Sequence, residues 1–266
     1  DAGLAVSNKD GRIYDRFRNR VMFPIIDIRG DVIGFGGRVM DDSTPKYLNS
    51  PDTPVYNKSR NVFALNIAKK SRAGRVILTE GYMDTISLHQ AGFDSAVASL
   101  GTSLTAEHAQ LLARYFKDAV IAYDGDGAGV SAAQRAIPLL ERAGLNVKVL
   151  RVKGAKDPDE FIKKYGPEAF ARLLDKSENH IDYRLEQLRG RYDLSDDSQR
   201  VEFLREATGV IASLHSAVER EIYGRHAAET AGVSPEAVAQ EVKKAFQRRL
   251  RKEQKQQERR DLTPAI

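Results

Sequence analysis

Short apolar runs alternate with helical segments between residues 75 and 165, and this alternation constrains the fold more than any other feature of the chain. Runs rich in Val and Ile predict strands at residues 75–79, 95–100, 119–124 and 146–152, with helices between them at 82–91, 105–116 and 129–143. Gly92 and Gly144 follow two of these helices, where glycine commonly ends a helix. Strand–helix alternation favours right-handed crossovers, so we predict an α/β fold with a mainly parallel sheet flanked by helices.

The segments on either side differ from this pattern. Residues 12–40 are predicted to be extended, with apolar runs at 21–28 and 32–39 separated by a turn at Arg29-Gly30-Asp31. After Pro167 the apolar residues recur at helical spacing, and no strand is predicted. We therefore divide the chain into a partial, β-rich and basic N-terminal subdomain (1–73), an α/β subdomain (74–166), a C-terminal helical subdomain (167–252) and a linker or tail (253–266).

The composition excludes several kinds of site. Cysteine is absent, which excludes disulfides, thiolate zinc sites and cysteine nucleophiles. No apolar run approaches the roughly 20 residues of a membrane span. The net charge of +5 comes from residues 241–266, where nine Lys and Arg face four Asp and Glu, so the basic pI says little about the partners of the other residues.

Acidic residues lie where three of the predicted strands end. The carboxyl ends of parallel strands meet at one edge of a sheet, where open α/β sheets bind their ligands. Crowded carboxylates repel each other unless divalent cations lie among them, and Mg²⁺ prefers oxygen ligands. The candidate metal ligands are Glu80, Asp84, Asp124, Asp126, Asp157 and Asp159.

Each acidic cluster also has a simpler explanation. Asp124-Gly125-Asp126 is typical of a turn, and Glu80 suits the start of a helix because it complements the helix dipole. Asp157 followed by Pro158 is typical of a helix N-terminus. The occurrence of all three clusters at predicted strand ends favours a metal site that serves phosphate chemistry.

Basic and aromatic residues are interspersed upstream of the sheet. Arginine forms bidentate contacts with phosphate, and aromatic rings stack on nucleobases. A solvated surface would give a similar pattern, because acidic residues are nearly as numerous there. The candidate cations are Arg16, Arg18, Arg20, Arg38, Lys46, Lys58 and Arg60.

The motifs TEGYMD and YDGDGAG, whose first acids lie about 44 residues apart, together resemble the TOPRIM fold. The strings YDRFRNRVMFPI, GFGGR, TPKYLNSPDTPVYNKSRNVFALN, ASLGTSLT and KDPDE are similar to the RNA polymerase core of bacterial DnaG-type primases. This resemblance extends from about residue 11 to residue 165. The later helical region is similar in kind.

The resemblance implies template-directed synthesis of short RNA primers during DNA replication, by two-metal nucleotidyl transfer. Glu80, Asp124 and Asp126 match the catalytic, metal-binding acids of the family, and the other three acids support them. The implied cofactor is Mg²⁺ (two ions), with Mn²⁺ as an alternative; the zinc-ribbon domain of the family lies outside this sequence, so no zinc is expected here. The implied nucleotide- and nucleic-acid-binding residues are Arg38, Lys46, Asn49, Lys58, Arg16, Arg18 and Arg60.

The resemblance also implies partners and a location. The partners are a single-stranded DNA template, ribonucleoside triphosphates, an RNA primer and the replicative helicase, the last through a domain that we expect to lie outside this sequence. We expect a cytoplasmic monomer at the bacterial replication fork, with no membrane partner. Two alternatives stay open: a TOPRIM nuclease, and a non-catalytic TOPRIM module that binds DNA or a repair partner. A topoisomerase is disfavoured, because it needs a breakage domain with a nucleophilic tyrosine.

Overall fold

The computed structural model describes residues 3–152, 154–214 and 216–261. The chain folds into two compact units, Asp1–Glu178 and Asn179–Ile266. Among the described residues, no helix is both long and apolar enough to cross a membrane.

The first unit begins with two small antiparallel sheets. The first pairs β1 (Ala5–Ser7) with β2 (Ile13–Asp15), and the second has the order β3 (Arg20–Ile26), β4 (Val32–Val39), β5 (Tyr47–Asn49). The predicted hairpin is confirmed: Oδ1 of Asp27 accepts hydrogen bonds from the backbone N–H groups of residues 29, 30 and 31, which fixes the turn between β3 and β4. A short helix, α1 (Leu65–Ala68), follows.

The central sheet confirms the predicted alternation. Its elements are β6 (Arg75–Thr79), α2 (Tyr82–Gln90), β7 (Ala96–Ala98), α3 (Ala106–Ala113), β8 (Asp118–Ile121), α4 (Gly127–Arg142) and β9 (Asn146–Val149). The spatial order is β9-β8-β6-β7, and all three pairings are parallel. The carboxyl ends of β6 and β8 therefore lie side by side, with Leu78 opposite Ile121 in the register.

Apolar burial explains why these strands lie at the centre of the unit. Val76, Ile77, Leu78 and Ile121 are each at most 1% exposed. Burying a side chain of this size contributes about 1.5–3 kcal/mol relative to leaving it in water. β6, β7 and most of β8 are buried on both faces, as expected for a parallel sheet with crossover helices, whereas β9 alternates exposed and buried residues. The polar residues that follow each strand are thereby held at the sheet edge.

One predicted domain boundary differs from the structure. The division between residues 166 and 167 falls inside α5 (Pro158–Asp175), which continues past Gly166, a non-helical residue with φ 80°. Phe170 and Leu174, at 0% and 1% exposed, belong to the same apolar cluster as Ile77 of the sheet. These residues therefore belong to the α/β unit, and its boundary lies at residue 178. The predicted absence of strands after Pro167 is also wrong, because β10 (Glu178–Asn179) lies at the unit boundary.

The second unit is helical, as predicted. It contains α6 (His180–Arg189), α7 (Asp197–Ile211), α8 (Ala217–Ala231) and α9 (Pro235–Asp261). Phe203, Ala207, Ile211 and Ala228, each at most 1% exposed, lie in its apolar core. α9 continues into the segment assigned to the linker or tail, as far as Asp261; charged and Gln residues favour a helix. Residues 262–266 lie outside the described residues.

Candidate functional site

A cavity of about 330 Å³ opens at the carboxyl edge of the central sheet. Carboxylates from β6, β8, α2 and the start of α5 line it together with cations from the upstream segment and the loop before α5. The charged lining residues are Glu80, Asp84, Asp124, Asp157, Asp159, Arg38, Lys46 and Lys156. Five of the six predicted acids therefore line one cavity, together with two of the predicted cations.

The side chain of Glu80 is hydrogen-bonded to the backbone of Asp124. Oε1 of Glu80 accepts a hydrogen bond from the Asp124 N–H at 3.0 Å, which joins the ends of β6 and β8. The first turn of α4 lies against both: a Cβ atom on Gly129 would stand 2.7 Å from Oε1 of Glu80 and 2.2 Å from the carbonyl oxygen of Asp124. Only glycine leaves room for this approach.

Asp126 and Asp157 act as helix caps. Oδ1 of Asp126 accepts a hydrogen bond from the Gly129 N–H at 2.8 Å at the start of α4. Oδ1 of Asp157 accepts one from the Glu160 N–H at 2.8 Å at the start of α5. The capping role predicted for Asp157 is thus confirmed, and Asp126, for which only a turn was predicted, also caps a helix. Asp126 follows the cavity-lining Asp124 by two residues but does not itself line the cavity.

Asp84 and Asp159 lie in contrasting environments. Oδ1 of Asp84 accepts a hydrogen bond from the Asp159 N–H at 3.3 Å. Burial, with the charge of Asp157 adding to it, raises the pKa of Asp84 to about 7. Burial also acts to raise the pKa of Asp159, but hydrogen bonds from Lys163 and Ser87 outweigh it and hold the pKa below its usual value.

The crowding of the acids is visible at Asp124. Burial, followed by the charges of Glu80 and Asp157, raises the pKa of Asp124 to about 6. Among the described residues, no three Asp, Glu or His side chains converge closely enough to form a ready metal site. The donors nevertheless fit a hard divalent cation, since they are carboxylate oxygens whose mutual repulsion a bound cation would relieve.

The cations of the cavity come from the antiparallel-sheet region, which supplies Arg38 and Lys46, and from the loop before α5, which supplies Lys156. The guanidinium of Arg38 lies over the ring of Tyr47, 5.9 Å from its centroid, and its buried Nε has no hydrogen-bond partner among the described residues. A buried donor without a partner is costly, so an anionic ligand at Arg38 would be stabilised. Lys46 and Lys156 line the same cavity.

The structure separates the remaining predicted binding residues from the cavity lining, except for Asn49. Asn49 lines the cavity, but its amide donates to the Leu100 carbonyl and accepts from the Tyr82 hydroxyl. Arg16 donates to the Asn49 carbonyl at 3.3 Å. Arg18 lies over the Tyr14 ring, and the Lys58 carbonyl accepts from His108. Arg18, Lys58 and Arg60 are not among the residues that line this cavity.

Sequence reasoning missed several residues of the cavity. Lys156 is the first residue of the KDPDE motif and lines the cavity. The motif itself therefore indicates a cation directly beside the acids. Tyr82 and Ser99 carried no such signal, because a tyrosine in the first turn of a helix or a serine after a strand is ordinary. Their position in the cavity follows from how β4, β5 and β7 pack, which the sequence pattern does not specify.

Family models match three regions of the chain. Residues 77–162 match the Toprim-like family, residues 1–69 match the N-terminal domain of the DNA primase catalytic core, and residues 181–236 match the DnaB-helicase binding domain of primase. The expectation that the helicase-interaction domain lies outside this sequence is therefore wrong. The helical pattern alone did not reveal it, because apolar spacing of that kind is common to helical bundles.

Individual relatives agree with these matches. A DNA primase of Clostridium acetobutylicum is 45% identical over 239 residues, which is 90% of this chain and 40% of that protein. This chain thus spans about two fifths of the length of such relatives. The crystal structure of a DNA primase domain from Pseudomonas aeruginosa matches with a TM-score of 0.75 at 36% identity, over 91% of this chain and 78% of that one. A DnaG primase catalytic domain bound to ssDNA matches with a TM-score of 0.75 at 38% identity, over 89% and 76% of the two chains.

The family models and solved structures agree with the arrangement of the chain itself. A parallel sheet with Glu80 and Asp124 at the ends of adjacent strands lies beside an antiparallel sheet that supplies Arg38 and Lys46. The resemblance seen in the sequence is confirmed, and the chain belongs to the bacterial DnaG-type DNA primase family.

Proposed function

We propose that this chain is a primase catalytic core that synthesises short RNA primers on a single-stranded DNA template. The observation that carries the proposal is the lining of the cavity at the sheet edge: five carboxylates and three cations share a volume of about 330 Å³. Carboxylates alone would bind metal ions, and cations alone would bind any anion. Both together suit the triphosphate of a nucleotide with its divalent cations.

The acids of the cavity would hold the divalent cations. We assign this role to Glu80 and Asp124 of the cavity and to Asp126, which follows Asp124 outside the lining, supported by Asp84, Asp157 and Asp159. Oxygen ligands of this kind bind Mg²⁺ or Mn²⁺. When bound, the cations stabilise the negative charge that develops on the attacking and leaving oxygens.

The basic residues would hold and orient the nucleotide. Lys46 and Lys156 neutralise the triphosphate, and the unpartnered Nε of Arg38 donates to a phosphate oxygen. The ring of Tyr47, 37% exposed beside Arg38, offers a face on which a base can stack. Arg16, Arg18, Lys58 and Arg60 are then assigned to the template or primer strand outside the cavity.

Primer synthesis on single-stranded templates tests the proposal. The chain is incubated with ribonucleoside triphosphates and Mg²⁺ or Mn²⁺, alone and as the variant Asp124→Asn. We expect metal-dependent RNA products from the unaltered chain and a loss of about a hundredfold or more in the variant, since metal stabilisation of the transition state amounts to several kcal/mol. Asp118→Asn, at the exposed opposite end of β8, is the matched control and should retain activity.

The same assay separates the alternative functions. A nuclease would cleave the template with metal when no ribonucleotide is present. A non-catalytic module would bind DNA without metal and yield no product. Normal synthesis by the Asp124→Asn variant would overturn the assignment of the site.

We propose that the helical unit binds the replicative helicase. The match of residues 181–236 to a helicase-binding domain supports this partner, and α8 presents Val218 and Ile222, 66% and 47% exposed, on its surface. Replacing both with Asp should weaken helicase binding in a sedimentation or calorimetric assay, while primer synthesis on free single strands stays unchanged. Val32→Asp, at an exposed apolar position in the other unit, is the control.

A further inference from the structure

A second cavity, of about 320 Å³, adjoins the acidic one. The two share Glu80, Ser99 and Gly101 in their linings, so Glu80 stands at the border between them. The second is lined by α4 on one side and by the loop that follows β7 on the other.

The walls of this second cavity are small and rich in hydroxyl groups. Ala128, Ala132 and Ala136 follow each other at intervals of four residues, so they share one face of α4. Their methyl groups leave space that larger side chains would fill. Across from them, Thr102 and Ser103 contribute hydroxyl groups. The cavity is thus a slot with one apolar wall and one hydrogen-bonding wall.

Tyr123 lies in the lining of the slot with an unused donor. The residue is only 9% exposed, and its hydroxyl has no hydrogen-bond partner among the described residues. Burial raises the pKa of Tyr123, and the negative charge of Glu80 raises it further. The positive charge of Arg135 acts to lower this pKa, so the phenol lies in the electric field of both Glu80 and Arg135. Because Tyr123 lines the slot, its hydroxyl is available to hydrogen-bond a ligand there.

Arg135 supplies the cation of the slot. It extends from α4 and donates to the Ser131 hydroxyl one turn earlier in the same helix. Among the described residues it forms no ion pair with a carboxylate. An arginine without an acidic partner at the edge of a cavity suits a phosphate oxygen.

The charges of the two cavities distinguish their ligands. Arg38, Lys46 and Lys156 all line the first cavity, and three cations suit the high negative charge of a triphosphate. Among the described residues that line the second cavity, Arg135 is the one cation, which suits the single negative charge of a phosphodiester. In phosphoryl transfer, the attacking and leaving oxygens lie on opposite sides of the reacting phosphorus. A slot that adjoins the triphosphate site across Glu80 is therefore placed to hold the attacking strand.

We propose that this second cavity holds the 3′-terminal ribonucleotide of the growing primer, with its phosphodiester at Arg135 and a sugar hydroxyl at Tyr123. The proposal rests on the proposed function. In the reaction, the 3′ oxygen forms a bond to the α-phosphorus, the bond from this phosphorus to the β-phosphate oxygen breaks, and pyrophosphate leaves with the electron pair. The proton of the 3′-hydroxyl passes to solvent. Arg135 and Tyr123 bind and orient the strand that carries this hydroxyl.

Kinetics of primer extension test the proposal. A short oligoribonucleotide annealed to a template is extended, with its concentration varied at saturating triphosphate and then the reverse. For Arg135→Gln we expect the KM for the annealed strand to rise about tenfold, as for the loss of a charge-assisted hydrogen bond, and the KM for the triphosphate to stay unchanged. Tyr123→Phe should raise the KM for the strand about threefold, as for the loss of a neutral hydrogen bond. Arg142→Gln, at the exposed far end of α4, should change neither constant.

A binding measurement keeps this test separate from that of the proposed function. The same labelled strand is titrated with the protein in the absence of metal, and fluorescence anisotropy reports its affinity. If the unaltered chain makes no product with either metal, the proposed function fails, but weaker strand binding by Arg135→Gln still supports the slot. A rise in the KM for the triphosphate instead, or an unchanged strand affinity in both variants, would overturn the proposal. Thermal unfolding by circular dichroism establishes that each variant is folded.

Discussion

The hydroxyl of Tyr82 donates a hydrogen bond to Oδ1 of Asn49 at 2.7 Å, which joins α2 of the parallel sheet to β5 of the antiparallel sheet. Nδ2 of the same amide donates to the Leu100 carbonyl at 2.9 Å. Both ends of the amide are therefore occupied by protein groups. Asn49 fixes the wall between the basic and acidic parts of the cavity, a positioning role that differs from direct contact with the nucleotide.

Asn49→Ala should destabilise the protein more than it affects nucleotide contacts. The change leaves the Tyr82 hydroxyl and the Leu100 carbonyl without partners, so we expect the free energy of unfolding to fall by about 2–3 kcal/mol in urea titrations. Lys46→Ala, on the same cavity, should leave this free energy unchanged and raise the KM for the triphosphate. If Asn49→Ala keeps full stability and raises that KM, Asn49 is a direct ligand.

Two buried tyrosines should respond differently to removal of their hydroxyl groups. Tyr56 is 1% exposed and its hydroxyl has no partner among the described residues, whereas that of Tyr82 is bonded to Asn49. Tyr82→Phe should therefore lower the free energy of unfolding by about 1 kcal/mol. Tyr56→Phe should leave it unchanged or raise it, because it removes a buried polar group without a partner. Equal losses in both variants, measured by urea unfolding, would contradict this expectation.

The sequence predicts the sheet well because its information is local. The apolar run Val76-Ile77-Leu78, followed by Thr79, specifies β6, and glycines with positive φ at residues 92 and 144 follow α2 and α4. The acids that follow these strands could be assigned to one sheet edge because parallel strands share their direction. This much of the site follows from periodicity and handedness alone.

The parts that could not be predicted depend on contacts between residues distant in sequence. The Gly166-Pro167 pair indicated a domain boundary, but α5 continues past it because Phe170 is buried with residues of the sheet. Likewise, the sequence cannot show that the amide of Asn49 is occupied or that Lys58 lies away from the cavity. Side-chain partners of this kind are decided by packing, which a single sequence does not reveal.

The raised pKa of Asp84, about 7, should make stability depend on pH when metal is absent. The folded protein then binds more protons than the unfolded protein between about pH 4 and pH 7, so the free energy of unfolding falls as the pH rises through this range. Asp84→Asn should remove part of this fall. We expect the variant to be about 1 kcal/mol more stable than the unaltered chain at pH 7.5 in a chelating buffer, a value discounted for solvent screening.

Metal provides the control for this pH dependence. Metal binding requires deprotonated carboxylates, so added Mg²⁺ should stabilise the unaltered chain more at pH 7.5 than at pH 5. Asp84→Asn should show a smaller stabilisation by metal, and Asp118→Asn should behave like the unaltered chain. A free energy of unfolding that rises from pH 5 to pH 7.5 without metal would contradict the assignment.

Gly129→Ala should disrupt the acidic edge of the sheet, while Gly127→Ala, at the start of the same helix, should not. A Cβ on Gly129 would collide with the Asp124 carbonyl and with Oε1 of Glu80, whereas a Cβ on Gly127 would meet nothing within 4 Å. Since the carbonyl is backbone, the collision must shift α4 or the ends of β6 and β8, and we expect primer synthesis to fall about a hundredfold, with a loss of about 1–3 kcal/mol in stability. Gly127→Ala should retain activity and gain up to about 1 kcal/mol from the higher helix propensity of alanine. The difference is measured by initial rates of primer synthesis and by urea unfolding of both variants. Full activity in Gly129→Ala would show that the close approach of α4 to Glu80 is not required for primer synthesis.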